Sequence, residues 1–380
     1  MSFSFSFSRF GAVLGKEFIQ MRRDKVTFAM MIGVPIMQLL LFGFAINSDP
    51  HHLPTLIEMA DEGPLARAVL SGMQQSEYFD FQGLVTSPAE GDRALRDGTA
   101  SFVVVIPKGF ERDVVRGLAP EILLTADASD PSASGAAVAA MSGIVARAEA
   151  DVLTGPLRMA AAPSGPVTVT VTVHRQFNPE GRTALNIVPG LLAIILSMTM
   201  VLITAVAIVR ETERGTMEAL IATPVRPLEV LLGKIAPYVL VGYVQTGVFL
   251  LAGRFIFSVP FLGSPLAFFI GFNLYIVTNL ALGFLISTLA RSQMQAMQLS
   301  FFTILPTILL SGFMFPFAGM PGWARAIGSA LPATHFLRLT RKVMLKGAGL
   351  GDVGWNLLGI TVIMLVIVTV ALRRYRQTLD

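Results

Sequence analysis

The stretch RETERGTMEALIATPVRP, residues 210–227, places six charged residues in eighteen positions between two strongly apolar segments. Each flanking segment, 184–209 and 230–252, has the roughly 20 apolar residues that a helix needs to cross about 30 Å of hydrocarbon. The whole chain agrees, because 53% of its 380 residues are hydrophobic, 14% are charged and the mean hydropathy is +0.65. We therefore interpret the stretch as a charged bridge between two membrane spans.

Apolar segments of this length predict an α-helical integral membrane protein with about six transmembrane helices. The predicted spans are 27–46, 184–209, 230–252, 266–289, 299–317 and 354–372. The remaining segments are an N-terminal cytoplasmic or interfacial helix (1–26), a domain inserted between helices 1 and 2 (47–183), the charged bridge (210–229), an outer, partly re-entrant loop (318–353) and a tail (373–380).

The distribution of charge predicts the orientation of the spans. Residues 47–183 contain 10 Lys and Arg against 17 Asp and Glu, whereas the rest of the chain contains 19 against 8. The positive-inside rule therefore places both termini in the cytoplasm and the inserted domain outside it. The outer loop disagrees with this rule, because it carries the basic residues Arg325, Arg338, Arg341, Lys342 and Lys346. We interpret that loop as partly re-entrant or interfacial.

The inserted domain has the short, mixed patterns of an α/β extracytoplasmic domain. Clustered or alternating β-branched residues predict strands at 53–59, 101–106, 121–126 and 167–173. Helices are predicted between them at 64–76, 89–97, 108–116 and 132–153. The pattern leaves open whether this domain is a spacer or contacts a substrate or a partner.

Within the charged bridge, residue spacing favours a short amphipathic helix. Arg214 follows Glu211 by three residues and precedes Glu218 by four, so the three side chains can pair along one side. Pro224 predicts the end of this helix, because proline lacks the backbone N–H and disfavours helix at the residue before it. The same pattern would also suit a solvated turn that only fixes the topology.

Three stretches resemble the ABC-2 type permeases, the membrane subunits of ATP-binding cassette (ABC) exporters. The first, at 210–234, is similar to the family's cytoplasmic signature and reads RETERGTMEALIATPVRPLEVLLGK. The second, at 309–347, is similar to the fifth span with its outer loop and reads LLSGFMFPFAGMPGWARAIGSALPATHFLRLTRKVMLKG. The third, FVVVIPKGFERDVVRG at 102–117, resembles the bacterial multidrug or efflux-type subgroup with a large extracytoplasmic domain.

The resemblance implies a permease without its own nucleotide site, served by two P-loop ATPase subunits that bind ATP and Mg²⁺. The sequence agrees, since no stretch has the G-x-x-x-x-G-K-[ST] spacing that cradles phosphate. The charged bridge is then the coupling helix that docks on the ATPase, with Glu211, Glu213, Arg214, Gly215, Thr216, Glu218 and Pro224 as its candidate residues. Residues 9–25 resemble the family's interfacial helix, with Phe10, Lys16, Phe18, Arg22 and Arg23 as its candidates; they would equally suit a surface anchor without coupling duty.

The resemblance also implies alternating access at an interface between two permease chains, either two copies or a sister pair. The candidate translocation path is aromatic and apolar and comprises Phe301, Phe302, Ser311, Gly312, Phe313, Phe315 and Phe317. Such side chains also commonly face lipid or neighbouring helices. The expected cargo is an amphipathic or hydrophobic molecule, the expected location is the bacterial inner membrane, and a periplasmic adaptor is a further candidate partner.

Other classes of function fit the sequence less well. A secondary transporter is expected to hold ionisable groups at membrane depth, where this chain has few. A membrane-anchored scaffold or receptor would explain the inserted domain but not the charged bridge. The sequence shows no catalytic cluster and no metal-ligand spacing, and it contains no cysteine. The basic balance is attributed to membrane orientation, because no aromatic residues interleave with the basic ones as nucleic-acid binding requires.

Overall fold

The computed structural model describes residues 51–129, 131–154, 169–213 and 227–377. The predicted N-terminal helix (1–26), the first span (27–46) and most of the charged bridge lie outside these residues. The described chain begins with an α/β domain and continues as a group of long helices.

The α/β domain is built on a five-stranded sheet with the strand order β2-β1-β3-β4-β5. β3 and β4 are antiparallel, and the other neighbouring strands are parallel. The strands are β1 (Leu53–Met59), β2 (Phe79–Leu84), β3 (Phe102–Ile106), β4 (Glu121–Asp127) and β5 (Thr170–Gln176). The helices are α1 (Pro64–Gln75), α2 (Pro88–Asp97), α3 (Phe110–Val115) and α4 (Pro131–Thr154).

Both faces of this sheet are covered. α1, α3 and α4 pack on one face in a continuous apolar core, and Leu95 of α2 packs on Val103 at the other. α2 begins with two capping bonds: Ser87 Oγ accepts a hydrogen bond from Glu90 N–H at 3.4 Å, and the Glu90 carboxylate accepts one at 3.1 Å from the N–H of Thr86, the residue before the cap. Gly98 then ends the helix in the left-handed conformation, with φ 70°. These two signals fix where α2 begins and where it ends.

The remaining helices are α5 (Thr183–Glu213), α6 (Pro227–Phe255), α7 (Pro265–Ser287), α8 (Gln293–Leu310), α9 (Gly322–Ser329), α10 (Pro332–Lys346) and α11 (Gly354–Gln377). Among the described residues, four helical segments are long and apolar enough to cross a membrane: Thr183–Glu213, Tyr238–Phe255, Pro265–Ser287 and Gly351–Arg374. α8 is not among the four, since its first turns carry several glutamines. The count of six spans stays a prediction.

α5 and α7 approach each other closely in the centre of the helical group. A Cβ atom at Gly283 would lie 2.7 Å from the carbonyl oxygen of Val201. Ser197 Oγ donates a hydrogen bond of 2.6 Å to Asn279 Oδ1, so this apolar contact also contains a polar pair. Glycine and paired polar side chains of this kind are what bring helices together in lipid.

α10 packs against α5, α7 and α11 although it is too short and too polar to span a membrane. The ring of Phe336 in α10 stacks on Tyr275 of α7 with the centroids 4.2 Å apart. Gly347, with φ 70°, ends α10 and redirects the chain.

Most secondary structure predicted for the α/β domain is confirmed. The four predicted helices agree with α1 to α4 to within two residues, and the strand at 53–59 has the bounds of β1. The last strand differs, because β5 runs over Thr170–Gln176 rather than 167–173. β2 was not predicted. It is an edge strand, and most of its side chains are exposed, so its sequence FDFQGL lacks the expected clustering.

Candidate functional site

The helix ends define two sides of the helical group. The C-terminal end of α10 contacts the α/β domain, and the segment before α7 is hydrogen-bonded to that end of α10. The start of α5 follows the α/β domain in the chain, and Arg182 there donates to Phe257 O just after the end of α6. We call this the domain side. The end of α5 and the start of α8 lie at the opposite end, which we call the far side.

On the far side, the end of α5 is fastened to the start of α8. The Glu213 carboxylate accepts hydrogen bonds from Gln293 N–H at 2.9 Å and from Gln293 Nε2 at 2.5 Å. Arg210 Nε donates to Gln293 Oε1 at 3.4 Å. Ser292 caps α8 by accepting from Gln295 N–H at 3.2 Å. The described end of the charged bridge is therefore helical and joined to the connection between α7 and α8.

Two of the predicted coupling residues, Glu211 and Glu213, belong to this helix end. The other five, Arg214, Gly215, Thr216, Glu218 and Pro224, lie outside the described residues, and so do all the residues predicted for the interfacial helix.

On the domain side, a buried ion pair joins the α/β domain to α10. Lys346 Nζ lies 2.5 Å from Asp127 Oδ2, and the two side chains are 5% and 15% exposed. The same ammonium donates to the carbonyl oxygen of Leu95 in α2 at 2.8 Å and lies 5.0 Å from the centre of the Phe177 ring. The ammonium of Lys346 is therefore held by two segments of the α/β domain, the end of α2 and the end of β4.

Three further cations of α10 lie near this ion pair. Arg341 donates to Gly312 O at 3.2 Å and also donates to Asn186 Oδ1 at the start of α5. The Arg338 guanidinium lies 4.1 Å from the centre of the Phe317 ring. Burial, and secondly the charge of Arg341, lower the pKa of Arg338. Burial also lowers the pKa of Lys342, with a further lowering by Lys346 that the carboxylates of Asp97 and Asp352 oppose.

These cations line a cavity of about 450 Å³ between the α/β domain and the domain-side ends of the helices. We call it the interdomain cavity. Its charged wall holds Arg325, Arg338, Arg341, Lys342 and Lys346 against two carboxylates, Asp97 and Asp127. The basic residues that disagreed with the positive-inside rule are thus gathered at this cavity.

The structure separates the residues predicted for the translocation path. Phe301 and Phe302 lie within α8 and are exposed, whereas Ser311, Gly312, Phe313, Phe315 and Phe317 lie beyond the end of α8 at Leu310. The predicted fifth span, 299–317, therefore differs from the helix, because the chain turns at Gly312 with φ 87°. Ser311, Gly312 and Phe317 line the interdomain cavity. Phe313 and Phe315 instead pack in apolar clusters.

Sequence reasoning had not singled out Asp127–Lys346, Asn186–Arg341 or Ser197–Asn279 as contacts. The basic residues between the fifth and sixth predicted spans were the available signal, since charges in a partly re-entrant loop need partners where they are removed from water. The partners themselves are 219 and 155 residues away along the chain for the first two pairs. In the part of the chain that the structure describes, no three His, Asp or Glu side chains are grouped to hold a metal.

Known proteins are similar to this chain over most of its length. Residues 25–373 match the family described as ABC-2 family transporter protein. The chain is 31% identical over 350 residues to the probable multidrug ABC transporter permease YbhS of Escherichia coli strain K12, which covers 90% of each chain. It is 27% identical over 350 residues to YbhR of that strain, also a probable multidrug ABC transporter permease, with 92% of this chain and 93% of YbhR covered. Identity to the inner membrane transport permease YhhJ of that strain is 29% over 333 residues, or 86% of each chain.

Proposed function

This chain belongs to the ABC-2 transporter family, and from that premise we propose that it is the permease subunit of a bacterial ABC exporter. The observation that carries the proposal is the family match over residues 25–373 together with relatives described as ABC transporter permeases. In this function the chain forms the membrane path, and a separate P-loop subunit binds ATP with Mg²⁺ and hydrolyses it. The chain itself is then not an enzyme.

The charged bridge, residues 210–229, is the proposed contact with the ATPase subunit. Support comes from the far side, where Glu213 bonds to Gln293 and thereby joins the bridge to the connection between α7 and α8. A displacement of the bridge is transmitted to two spans through this contact. The remaining predicted coupling residues extend the same bridge.

Two permease chains, related by a two-fold axis, enclose the proposed path. ATP binding closes the two ATPase subunits, and the bridges convert that closure into alternating access. The exposed rings of Phe301 and Phe302 on α8 are the proposed lining on this path. The proposed cargo is an amphipathic or hydrophobic molecule.

The proposed location is the bacterial inner membrane, with six spans and both termini in the cytoplasm. The domain side then faces away from the cytoplasm, and the far side faces it. The ion pair between Lys346 and Asp127 supports this arrangement, because it requires the outer loop and the α/β domain to be on one side of the membrane. In this topology the α/β domain is inserted between the first and second spans.

The test is ATP hydrolysis by the chain reconstituted in lipid with its P-loop partner. The variant Glu213→Lys/Glu218→Lys reverses two charges of the bridge. If the bridge couples the subunits, hydrolysis by the complex falls about tenfold or more, since charged contacts at an interface are worth a few kcal/mol. A matched control reverses two exposed carboxylates on the α/β domain, Glu77→Lys/Glu180→Lys.

The control variant should hydrolyse ATP at the wild-type rate, because its charges are changed on the other side of the membrane. An absence of any stable complex with a P-loop subunit would remove the basis of the permease assignment. Wild-type hydrolysis and export by the bridge variant would show that residues 210–229 are only a solvated turn.

A further inference from the structure

Among the residues that the structure describes, the lining of the interdomain cavity has an excess of positive charge. Five cationic side chains face two carboxylates there, and one of those, Asp127, is already held by Lys346 at 2.5 Å. The other, Asp97, acts on Lys342 together with Asp352, which lies outside the cavity lining. Arg325 and Arg338 have no carboxylate within 4 Å among the described residues. A low-dielectric pocket with this imbalance attracts anions.

Hydrogen-bond donors at the cavity also lack partners. The hydroxyl of Ser311 is 1% exposed, lines the cavity and makes no hydrogen bond in the described part of the chain. The Arg338 guanidinium has its face on Phe317 and bonds to no oxygen of the described residues. Buried donors of native proteins are normally satisfied, so each of these two donors calls for a partner such as a water, an ion or a ligand. An oxyanion would accept from both Ser311 and Arg338.

The rest of the lining suits an apolar chain attached to that anion. Leu337, Pro316 and Phe317 contribute apolar surface to the same cavity. Trp355, at the start of α11, also lines it and is 84% exposed, and Trp323 of α9 is partly exposed two residues before Arg325. Tryptophan is enriched at the level of lipid headgroups. The two tryptophans thus favour an opening of the cavity at the headgroup level, where an amphiphile keeps its head in water and its chain in lipid.

We propose that the interdomain cavity binds the anionic headgroup, phosphate or carboxylate, of an amphipathic molecule. Arg338 and Ser311 are its direct ligands, and Arg325 and Lys342 add long-range attraction. Arg341 is a positioning residue, since its bonds to Gly312 and Asn186 fix the turn that carries Ser311. Whether the bound amphiphile is transported rests on the permease function proposed above, whereas its binding does not.

Binding can be measured without ATP or a partner subunit, by the fluorescence of the chain's two tryptophans, both near the cavity. The chain is placed in nanodiscs of phosphatidylcholine and titrated at constant ionic strength with dihexanoylphosphatidylglycerol, dihexanoylphosphatidylcholine or inorganic phosphate. We expect saturation by the anionic lipid at a concentration at least about tenfold lower than by either other ligand, because only that lipid supplies both the net charge and the chain.

Arg338→Gln should weaken binding of the anionic lipid about tenfold, the factor that accompanies loss of a hydrogen bond to a charged group. Ser311→Ala should weaken it too without lowering the thermal stability of the ligand-free protein, since the hydroxyl has no partner there to lose. This second variant separates a ligand contact from a folding defect. The matched control is Arg254→Gln, which removes an exposed arginine near the domain-side end of α6, outside the cavity lining.

Equal affinity for the two lipids would overturn the proposal, and so would unchanged binding by both Arg338→Gln and Ser311→Ala. Inorganic phosphate that binds as tightly as the anionic lipid would show a site for free anions and refute the role of the apolar chain. Because the assay contains no ATPase, failure to bind leaves the permease assignment intact, and failure to form a complex with an ATPase leaves this site intact.

Discussion

Replacing Asp127 by Asn is expected to loosen the contact between the α/β domain and α10 by about 3 kcal/mol. Removing one partner from a buried ion pair costs about 3–5 kcal/mol, because the remaining charge is left uncompensated. Lys346 is 5% exposed and has no other carboxylate within 4 Å among the described residues. Its bond to Leu95 O at 2.8 Å continues to hold the ammonium, which places the cost at the lower end of the range.

Hydrogen exchange of the backbone measures this loosening locally. Ala100 and Ala348 are buried on the two sides of the contact, and their N–H groups are hydrogen-bonded to Ala94 O and Lys342 O. If these amides exchange through opening of the contact, a loss of 3 kcal/mol in its stability accelerates their exchange about a hundredfold. The double variant Asp127→Leu/Lys346→Met should recover most of the protection, since replacing both charges by apolar groups is often nearly neutral.

The control for this experiment is Asp113→Asn in α3. Its carboxylate pairs with Arg112 at 2.9 Å, but the two side chains are 61% and 26% exposed, and such surface pairs contribute about 0–1 kcal/mol. Exchange at Ala100 should then stay at the wild-type rate. The view that this buried pair holds the α/β domain against α10 would be refuted by either of two results. One is an exchange rate in Asp127→Asn that rises less than about threefold, and the other is exchange in the double variant as fast as in the single one.

Three further predictions concern the helices. Gly283→Ala should lower the free energy of unfolding by about 1–3 kcal/mol, because the new Cβ meets a backbone oxygen at 2.7 Å; thermal unfolding in nanodiscs measures this, and Gly247→Ala, with no atom within 4 Å, should be harmless. Asn279→Ala should cost about 1 kcal/mol in a detergent unfolding titration, since Ser197 loses its 2.6 Å acceptor, and an unchanged midpoint would contradict the contact. Gln293→Ala should lower hydrolysis of ATP by the complex without preventing its assembly, because Glu213 loses the bond from Gln293 Nε2 and Arg210 loses its acceptor Gln293 Oε1, while the bond from the backbone N–H of residue 293 remains; full activity would show that these side-chain bonds do not transmit the coupling.

The parts of the fold that depend on local pattern could be predicted from the sequence. Residues 53–59 alternate or cluster β-branched and aliphatic side chains, and the strand has those bounds. Helix α4, Ala-rich and long, was also found to within one residue at each end. Hydrophobic periodicity and residue composition are local properties, so they can be read from a short stretch of sequence.

The turn after α8 and the interdomain cavity could not be predicted in the same way. Apolar residues continue through Phe313, Phe315 and Phe317, so hydropathy alone extends the span to 317, whereas the positive φ of Gly312 ends it earlier. The cavity depends on Asp127, Asn186 and other residues that are distant in sequence from α10. Contacts between distant residues cannot be recognised in any short stretch of the sequence. Only the excess of basic residues in the outer loop indicated that such partners exist.

α5 connects the two candidate sites. It has 31 residues, about 46 Å of helix at 1.5 Å per residue, and runs from the interdomain cavity to the charged bridge. Asn186, near its start, bonds to Arg341 beside the cavity, and Glu213, at its end, bonds to Gln293. A helix held by contacts at both ends transfers an axial shift or a rotation from one end to the other, and in α5 the only internal proline, Pro189, lies near the start. Binding of an anionic headgroup beside Arg341 and docking of an ATPase on the bridge would then act on the same element, which requires only that α5 have two positions against α7.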